Sequence, residues 1–569
     1  MPEEVGRFLV EIKWVLGVDV STQTVTAMLA GVQEENGDPR ELVISCAWIA
    51  RRPCASEIER KNPAVWFRLV RECLSDLKRA ARETELVESI GVSTTFPGAF
   101  TVLEDGSIDP GLVSLYDNTD DAGINDETFG ELLGNAESQS LSRMWPGNMA
   151  LGVAHLVSKG LKLDDAAAIV PPNTAFAHEL RRSLGETPDP RRLFSDLTQT
   201  AISGMYDART GEAAPDAVLA LLDAALPGTD WQALRSLLPG AQPAWRNVLD
   251  YRAAVEARAL LGLPNLKAVS IGAGDSPLGT LALLPDADTI VNVRGSSDSP
   301  ILTVDAPRVR TTERETVLHY PLPSAASLGD APLDGARVKL APHQAPHQAP
   351  HQEWSVVAPM LRSGKVWDWV RRLRYADGDD AADAELERLA TDALKKRLRA
   401  PAGSLERGAL QFAPALGGER APDWDPRATG VISGLIESHG IGDIALAALE
   451  GMSGVLSECI RSMEARYEVQ PARLVVAGGP ARNALWNWVT QVFTGKQTFA
   501  TTFSDASLLG AALLGRAAGL DGELPDSAIR EKLLALARLA SEHPLVKPTP
   551  VGPPDDQLAD LEEAYSSEV

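Results

Sequence analysis

The chain predicts an α/β fold made of two related domains that face one cleft, and three observations support this. The first is length, since 569 residues exceed one ordinary domain and divide naturally into two large ones. The second is an alternation of strand-like and helix-like apolar patterns, which belongs to α/β layouts rather than to helical bundles. The third is a pair of similar segments, one near the start and one just past the midpoint. Val15-Leu-Gly-Val-Asp19-Val-Ser21-Thr22-Gln23-Thr24 precedes the apolar run 25–30, and Thr289-Ile-Val-Asn-Val293-Arg-Gly295-Ser296-Ser297 has the same form. In each, an apolar strand enters a turn of small hydroxyl residues. Such a turn presents backbone N–H groups and hydroxyls to phosphate oxygens with no bulky side chain in the way. Asp19, at the end of its strand, is placed to hold a metal ion or its water beside those phosphates.

Taken in order, residues 12–31 predict a β-hairpin and 41–50 a further strand. Over 63–82 the apolar residues Val65, Trp66, Leu69, Val70, Cys73 and Leu74 recur at helical spacing. Residues 89–93 predict a short buried strand, and mostly helix and loop are expected from there to about residue 265. A strand over 267–271 then leads into Gly272-Ala-Gly-Asp275 and a helix through 284. The pattern restarts at 289, which places a domain boundary after 284. The expected division is 12–284, 285–520 and a Pro-rich, acidic extension over 521–569.

Residues 322–353 are rich in Pro, Ala and Gly and hold three tandem copies of Ala-Pro-His-Gln. The proline before each of His343, His347 and His351 removes helical register, so the repeat predicts a flexible surface loop rather than a metal site. Further on, Leu446, Leu449, Met452 and Leu456 mark one face of a helix over 443–464. Residues 473–477 predict a buried strand ending in Gly478-Gly479. Ser504 and Asp505 are placed to cap a small-residue helix over 507–518.

A net charge of −24 argues against nucleic acid or an anionic membrane as partner. Four cysteines (Cys46, Cys54, Cys73 and Cys459), with no C-x-x-C pair among them, point to a reducing compartment. The start lacks the apolar stretch of a signal peptide, and no segment approaches the ~20 apolar residues of a membrane span. A cytoplasmic location is therefore expected. The sequence leaves a homodimer open.

The order of motifs resembles the FGGY carbohydrate kinases of the actin-like ATPase superfamily, from about residue 14 to 565. Its most specific stretch is Gly430-Val-Ile-Ser-Gly434-Leu435, then seven residues, then Asp443 to Gly451, which is similar to the family's C-terminal signature. Gly418-Glu419-Arg420-Ala-Pro422 is similar to its Gly-Glu-Arg-x-Pro segment. The resemblance implies two RNase H-like domains flanking a nucleotide and substrate cleft, with ATP and Mg²⁺ as cofactors and a small sugar or polyol as substrate.

By the same resemblance, Asp19 supports Mg²⁺, while Ser21, Thr22, Gln23, Gly295, Ser296 and Ser297 contact phosphates. Gly478, Gly479 and Asn483 hold the nucleoside, since close backbone approach to a base or ribose needs glycine. Asp275 stands where the family has its catalytic base. A sugar hydroxyl is a poor nucleophile until a carboxylate accepts its proton, which is the chemical reason for that assignment. Read alone, such a turn is also a helix cap.

The sugar-facing positions depart from the xylulokinase-like pattern. Thr95-Phe96-Pro97-Gly98 replaces Gln-x-His-Gly, and Tyr116-Asp117-Asn118-Thr119-Asp120 replaces Trp-x-Asp-x-Arg. Thr26 stands where a basic residue often follows the first phosphate turn, and the family's N-terminal signature is not recognisable around 145–157. Thr95, Phe96, Tyr116, Asp117 and Asn118 are the expected substrate wall. The expected function is ATP-dependent phosphorylation of a ketose or alditol, a pentulose among them. The alternative is a catalytically weak sugar- or nucleotide-binding regulator on the same fold. A third possibility, an actin- or chaperone-like ATPase, does not account for the 430–451 signature.

Overall fold

Strand β1 (Val10–Val20) sets the architecture because both of its faces are buried. Trp14, Leu16, Val18 and Val20 point into one core, against the helix Pro63–Ala80. Val15 enters a second core on the opposite face, and by the same alternation Gly17 and Asp19 share that face. The computed structural model describes residues 10–186, 189, 192–285, 288–304, 316–319, 354–360, 362–376, 381–408 and 410–569. The repeat with His343, His347 and His351, expected as a loop over 322–353, lies outside the described residues.

The first sheet runs β3 (Asp38–Pro53), β2 (Thr24–Glu35), β1, β4 (Val87–Thr94), then the two-residue strand Ala268–Val269. Pairs β1/β2 and β2/β3 are antiparallel, while β1/β4 is parallel. The expected strand over 267–271 is thus shorter than its apolar pattern suggested. Ser270 Oγ accepts from Val92 N at 3.0 Å, and Gly272 turns to φ +84, where an added Cβ would stand 2.3 Å from Val92 O. The chain leaves β4 there and rejoins it at Ala273–Gly274.

The second sheet repeats the plan. Thr289–Arg294 pairs antiparallel with Asp298–Val304 and parallel with Arg473–Ala477, which pairs parallel with Gln497–Ala500. Between the sheets in sequence lies a three-stranded antiparallel sheet (Gly98–Leu103, Ile108–Leu115, Ala166–Val170), where helix and loop were expected. Pro110 and Gly111 interrupt the strand pattern locally, but pairing of the neighbouring strands outweighs propensity.

The small-residue helix Ala506–Ala518 returns to the first sheet, although the sequence assigned it to the second domain. An added Cβ on Gly17 would lie 2.3 Å from Leu508 O, and one on Gly91 1.7 Å from Ala511 O. Only bare backbone allows so close an approach, and it draws the start of this helix up to Asp19. A buried Arg516–Glu34 pair (2.6 and 3.0 Å) fixes the far end. The following helix, Asp526–Glu542, packs on the same core. The expected extension is therefore built into the molecule, and it closes with Tyr565, whose OH meets Glu450 Oε1 at 2.8 Å. Among the described residues no helix is long and apolar enough to cross a membrane.

Candidate active site

Four strands place one row of side chains on the face of the first sheet that turns to the cleft. Asp19 on β1 stands beside Thr26 on β2 and Ser93 on β4, and Thr26 stands beside Arg51 on β3. Ser93 Oγ donates to Asp19 Oδ1 at 2.5 Å. Burial, and then the charges of Asp275 and Asp505, push the Asp19 carboxyl up to about 7, against the Ser93 bond. A carboxylate with a single hydroxyl donor among the described residues, facing other carboxylates, is an environment that a divalent cation would relieve.

The first turn closes on itself: Ser21 N and Ser21 Oγ both donate to Thr24 O, at 3.0 and 2.9 Å. Thr22 Oγ1 lies 3.2 Å from Tyr116 OH, tying this turn to the acceptor side. The second turn, Gly295–Ser297, joins its two strands with Gly295 N donating to Ser297 O at 2.8 Å. Gly364 N donates to Gly295 O at 3.0 Å, an approach that leaves no room for a Cβ on Gly364.

Asp275 begins the helix Asp275–Leu283, on a loop braced from below. Asn173 Nδ2 donates to Gly272 O (3.3 Å), and Gly274 N donates to Thr198 Oγ1 (3.1 Å). Burial raises the Asp275 carboxyl to about 6, opposed by its 2.6 Å bond from Ser276 N. It is a carboxylate near neutrality with its proton easily exchanged, which is what a general base requires.

These parts meet around a cavity of about 330 Å³. Of the residues singled out in the sequence, Asp19, Ser21, Thr22, Gln23, Thr95, Phe96, Tyr116, Asp275, Gly295, Ser296, Ser297, Gly478 and Gly479 line it. Gly478 adopts φ +99 and sits on Arg294 O, where an added Cβ would come within 2.0 Å.

Three residues lie elsewhere. Asn483 is spent on its own helix, its Oδ1 accepting from Trp486 N at 2.8 Å. Asn118 donates to Asp120 O and Pro146 O (3.1 and 3.0 Å), holding its loop. Asp117 lines a separate pocket, paired with Arg60 at 2.7 Å and 3.9 Å from Lys365. Burial alone would raise its carboxyl, but the two cations hold it below the usual carboxylate range. Tyr116 takes the inward position, so its neighbour in sequence turns away.

Among the cavity residues to which the sequence reading gave no ligand-binding role are Arg51, Trp145, Arg420 and Asp505. Arg420 is buried, its guanidinium 5.2 Å from the Tyr116 ring centre and 5.9 Å from that of Trp145. It also donates to Tyr116 O. Burial pushes it down to about 10, against the pull of Tyr116 and Asp117. Its segment, Gly418–Pro422, stood out in the sequence, but the partners it finds are some three hundred residues away. Asp505 occupies the helix-cap position without capping. Its Oδ1 accepts from Arg51 (2.5 Å) and its Oδ2 from Ser504 Oγ (2.6 Å), where a helix cap had been expected.

Comparison with known proteins bears on this geometry. Residues 328–519 match the profile of the FGGY family of carbohydrate kinases, C-terminal domain. The chain is 29% identical over 166 residues to the xylulose kinase of Escherichia coli, covering 29% of this chain and 31% of that one. It is 30% identical over 171 residues to the gluconokinase of Bacillus licheniformis, covering 28% and 31%. These matches thus span about a third of the relatives' length. Likeness of fold extends much further. A xylulose kinase from Rhodospirillum rubrum superposes with a TM-score of 0.63 at 18% identity, over 98% of this chain and 97% of that one. A gluconate kinase from Lactobacillus acidophilus gives 0.62 at 18% identity, over 98% and 99%. The fold is that of the actin-like ATPases, two RNase H-like domains about a cleft.

Proposed function

We propose that the chain is a carbohydrate kinase of the FGGY family, whose C-terminal domain model matches residues 328–519, and that it transfers the γ-phosphoryl group of ATP to a hydroxyl of a small sugar or polyol. The observation that carries this reading is the convergence of both hydroxyl turns, Asp19 and Asp275 on one cavity. Asp275 accepts the proton of the attacking hydroxyl. The turns at Ser21–Gln23 and Gly295–Ser297 hold the phosphates, and Gly478–Gly479 lets the nucleoside lie against bare backbone. Asp19 would hold Mg²⁺, which when bound neutralises phosphate charge. The acceptor stands against Thr95, Phe96, Tyr116 and Trp145, where water is displaced from the reacting hydroxyl. A ketose or alditol, a pentulose among them, is the proposed substrate class.

The test is ADP release with Mg-ATP across pentuloses, hexuloses, tetroses, alditols, aldonates and glycerol, with Asp275→Asn in parallel. Stimulation by one compound, lost in the variant, supports the kinase. The second reading, a weakly catalytic binding regulator, is favoured by one observation: the carboxylate expected on the substrate wall, Asp117, is engaged with Arg60 and Lys365 instead. It predicts compound binding without ADP release.

A further inference from the structure

The cleft presents three carboxylates, Asp19, Asp275 and Asp505, to a ligand that would itself be a polyanion. Cations are needed there, and the three arginines among its described lining residues are placed very differently. Arg294 is buried, bonded to Asn487 and Thr490 (3.2 and 3.1 Å) and stacked 4.1 Å from the Trp486 ring centre. Arg420 is held on Tyr116 O between aromatic rings, on the acceptor wall. Arg51 differs from both: its side chain is 48% exposed, and it stands on the open edge of the row that carries Asp19.

From this placement we infer that Arg51 is the cation that meets the distal phosphates of the nucleotide, resting on Asp505 until the nucleotide enters. The inference depends on the ATP reading of the cleft. Register supports it directly. Residues opposite one another in an antiparallel pair share a face, so Asp19, Thr26 and Arg51 project together. Two strand spacings put the Arg51 backbone about 10 Å from that of Asp19, most of which an extended arginine spans. Its head reaches Asp505 Oδ1 at 2.5 Å, and Asp505 is close enough for its charge to be felt at Asp19. The guanidinium therefore already sits at the mouth of the phosphate turns.

Its present partner is easily exchanged. A half-exposed ion pair is weakly held, whereas phosphate offers the same planar fork a doubly bonded partner. Thr26, between Arg51 and Asp19, is small and buried, so it leaves the path open. Release of Asp505 also accompanies every approach of Arg51 to phosphate, so the two residues should have opposite effects on nucleotide binding.

The experiment is calorimetric titration of AMP, ADP and a non-hydrolysable Mg-ATP analogue into wild type, Arg51→Gln, Arg51→Lys and Asp505→Asn, with circular dichroism confirming the fold of each. The expected result is that Arg51→Gln weakens the triphosphate about tenfold and leaves AMP unchanged. Arg51→Lys should fall between, and Asp505→Asn should not weaken the triphosphate. Equal losses for AMP and the triphosphate, or equal losses in Arg51→Gln and Asp505→Asn, would mean a purely structural ion pair and overturn the inference. So would an Arg51→Gln protein that binds the triphosphate as tightly as wild type. Failure of wild type to bind any nucleotide would instead overturn the ATP reading itself.

Discussion

The two sides of the cleft are made by different means. On the proposed phosphate side, two short turns offer backbone groups and hydroxyls, each closed by a hydrogen bond between residues a few positions apart, with Tyr116 OH and Gly364 N as partners from farther along the chain. On the acceptor side, Phe96, Tyr116, Trp145 and Arg420 come from four separate segments and meet through ring packing and the hydrogen bond from Arg420 to Tyr116 O. A backbone device depends on small residues and on glycine where space demands it, so it tolerates little change. A wall of side chains can be rebuilt one residue at a time without disturbing the turns opposite. The acceptor side carries the larger departures from the family pattern, while the phosphate side departs at Thr26.

The sharpest way to break this comparison is at the residue both sides share. Asp275→Asn should lower kcat by roughly 10²–10⁴, the range general-base catalysis contributes, with ATP binding retained. Its stability should move the other way. The unfolded carboxyl loses its proton near 3.8 and the folded one near 6, so the folded state holds an extra proton between those values. That stabilisation is complete below the unfolded pKa and is lost as pH rises through about 6. At pH 8 the charged, buried aspartate therefore costs folding free energy. Asparagine should raise apo-protein stability there by about 1–2 kcal/mol, after screening by cleft water, as read by denaturant titration.

The same shift predicts the pH profile. The base must be unprotonated, so kcat/KM should fall about tenfold per pH unit on the acid side of a limb near 6. A limb close to the ordinary carboxylate value would place the base elsewhere.

Gly478→Ala tests the backbone side. The residue sits at φ +99, and its new methyl would meet Arg294 O within 2.0 Å. Strain of this kind costs about 1–3 kcal/mol, which predicts at least several-fold weaker nucleotide binding and a lower melting temperature. Gly479→Ala is the control, since among the described residues nothing stands within 4 Å of its added Cβ. Equal losses at both positions would mean that the loop itself moves.

How far the sequence could be read follows the same division. The hairpins, the helix over 63–82, the strand 473–477 and both turns were legible because each depends on local pattern or turn chemistry. The three-stranded sheet was not, since short strands interrupted by Pro110 and Gly111 gain their stability from neighbours distant in sequence. The helix 506–518 was visible as a helix, but apolar residues on every side do not say which sheet will cover it. Asp117 and Asn118 were unreadable for a simpler reason. Tyr116 takes the place in the cavity, Asp117 turns to Arg60, and the Asn118 amide is drawn to the carbonyls of Asp120 and Pro146, contacts that no local pattern signals.

On the acceptor wall, Tyr116→Phe removes only the hydroxyl 3.2 Å from Thr22 Oγ1 and keeps the ring that Arg420 covers. A neutral hydrogen bond contributes about 0.5–1.5 kcal/mol, so KM for the acceptor should rise a few-fold with kcat nearly unchanged. Asn118→Ala should do still less. Its amide serves the carbonyls of Asp120 and Pro146, so its loss should lower stability by about 1 kcal/mol and leave acceptor KM within twofold of wild type. A large KM change at Asn118, with Tyr116→Phe silent, would invert the assignment. The acceptor would then lie on the far side of the tyrosine, in the pocket lined by Asp117, Arg60 and His155, and the wall facing the phosphate turns would only support it.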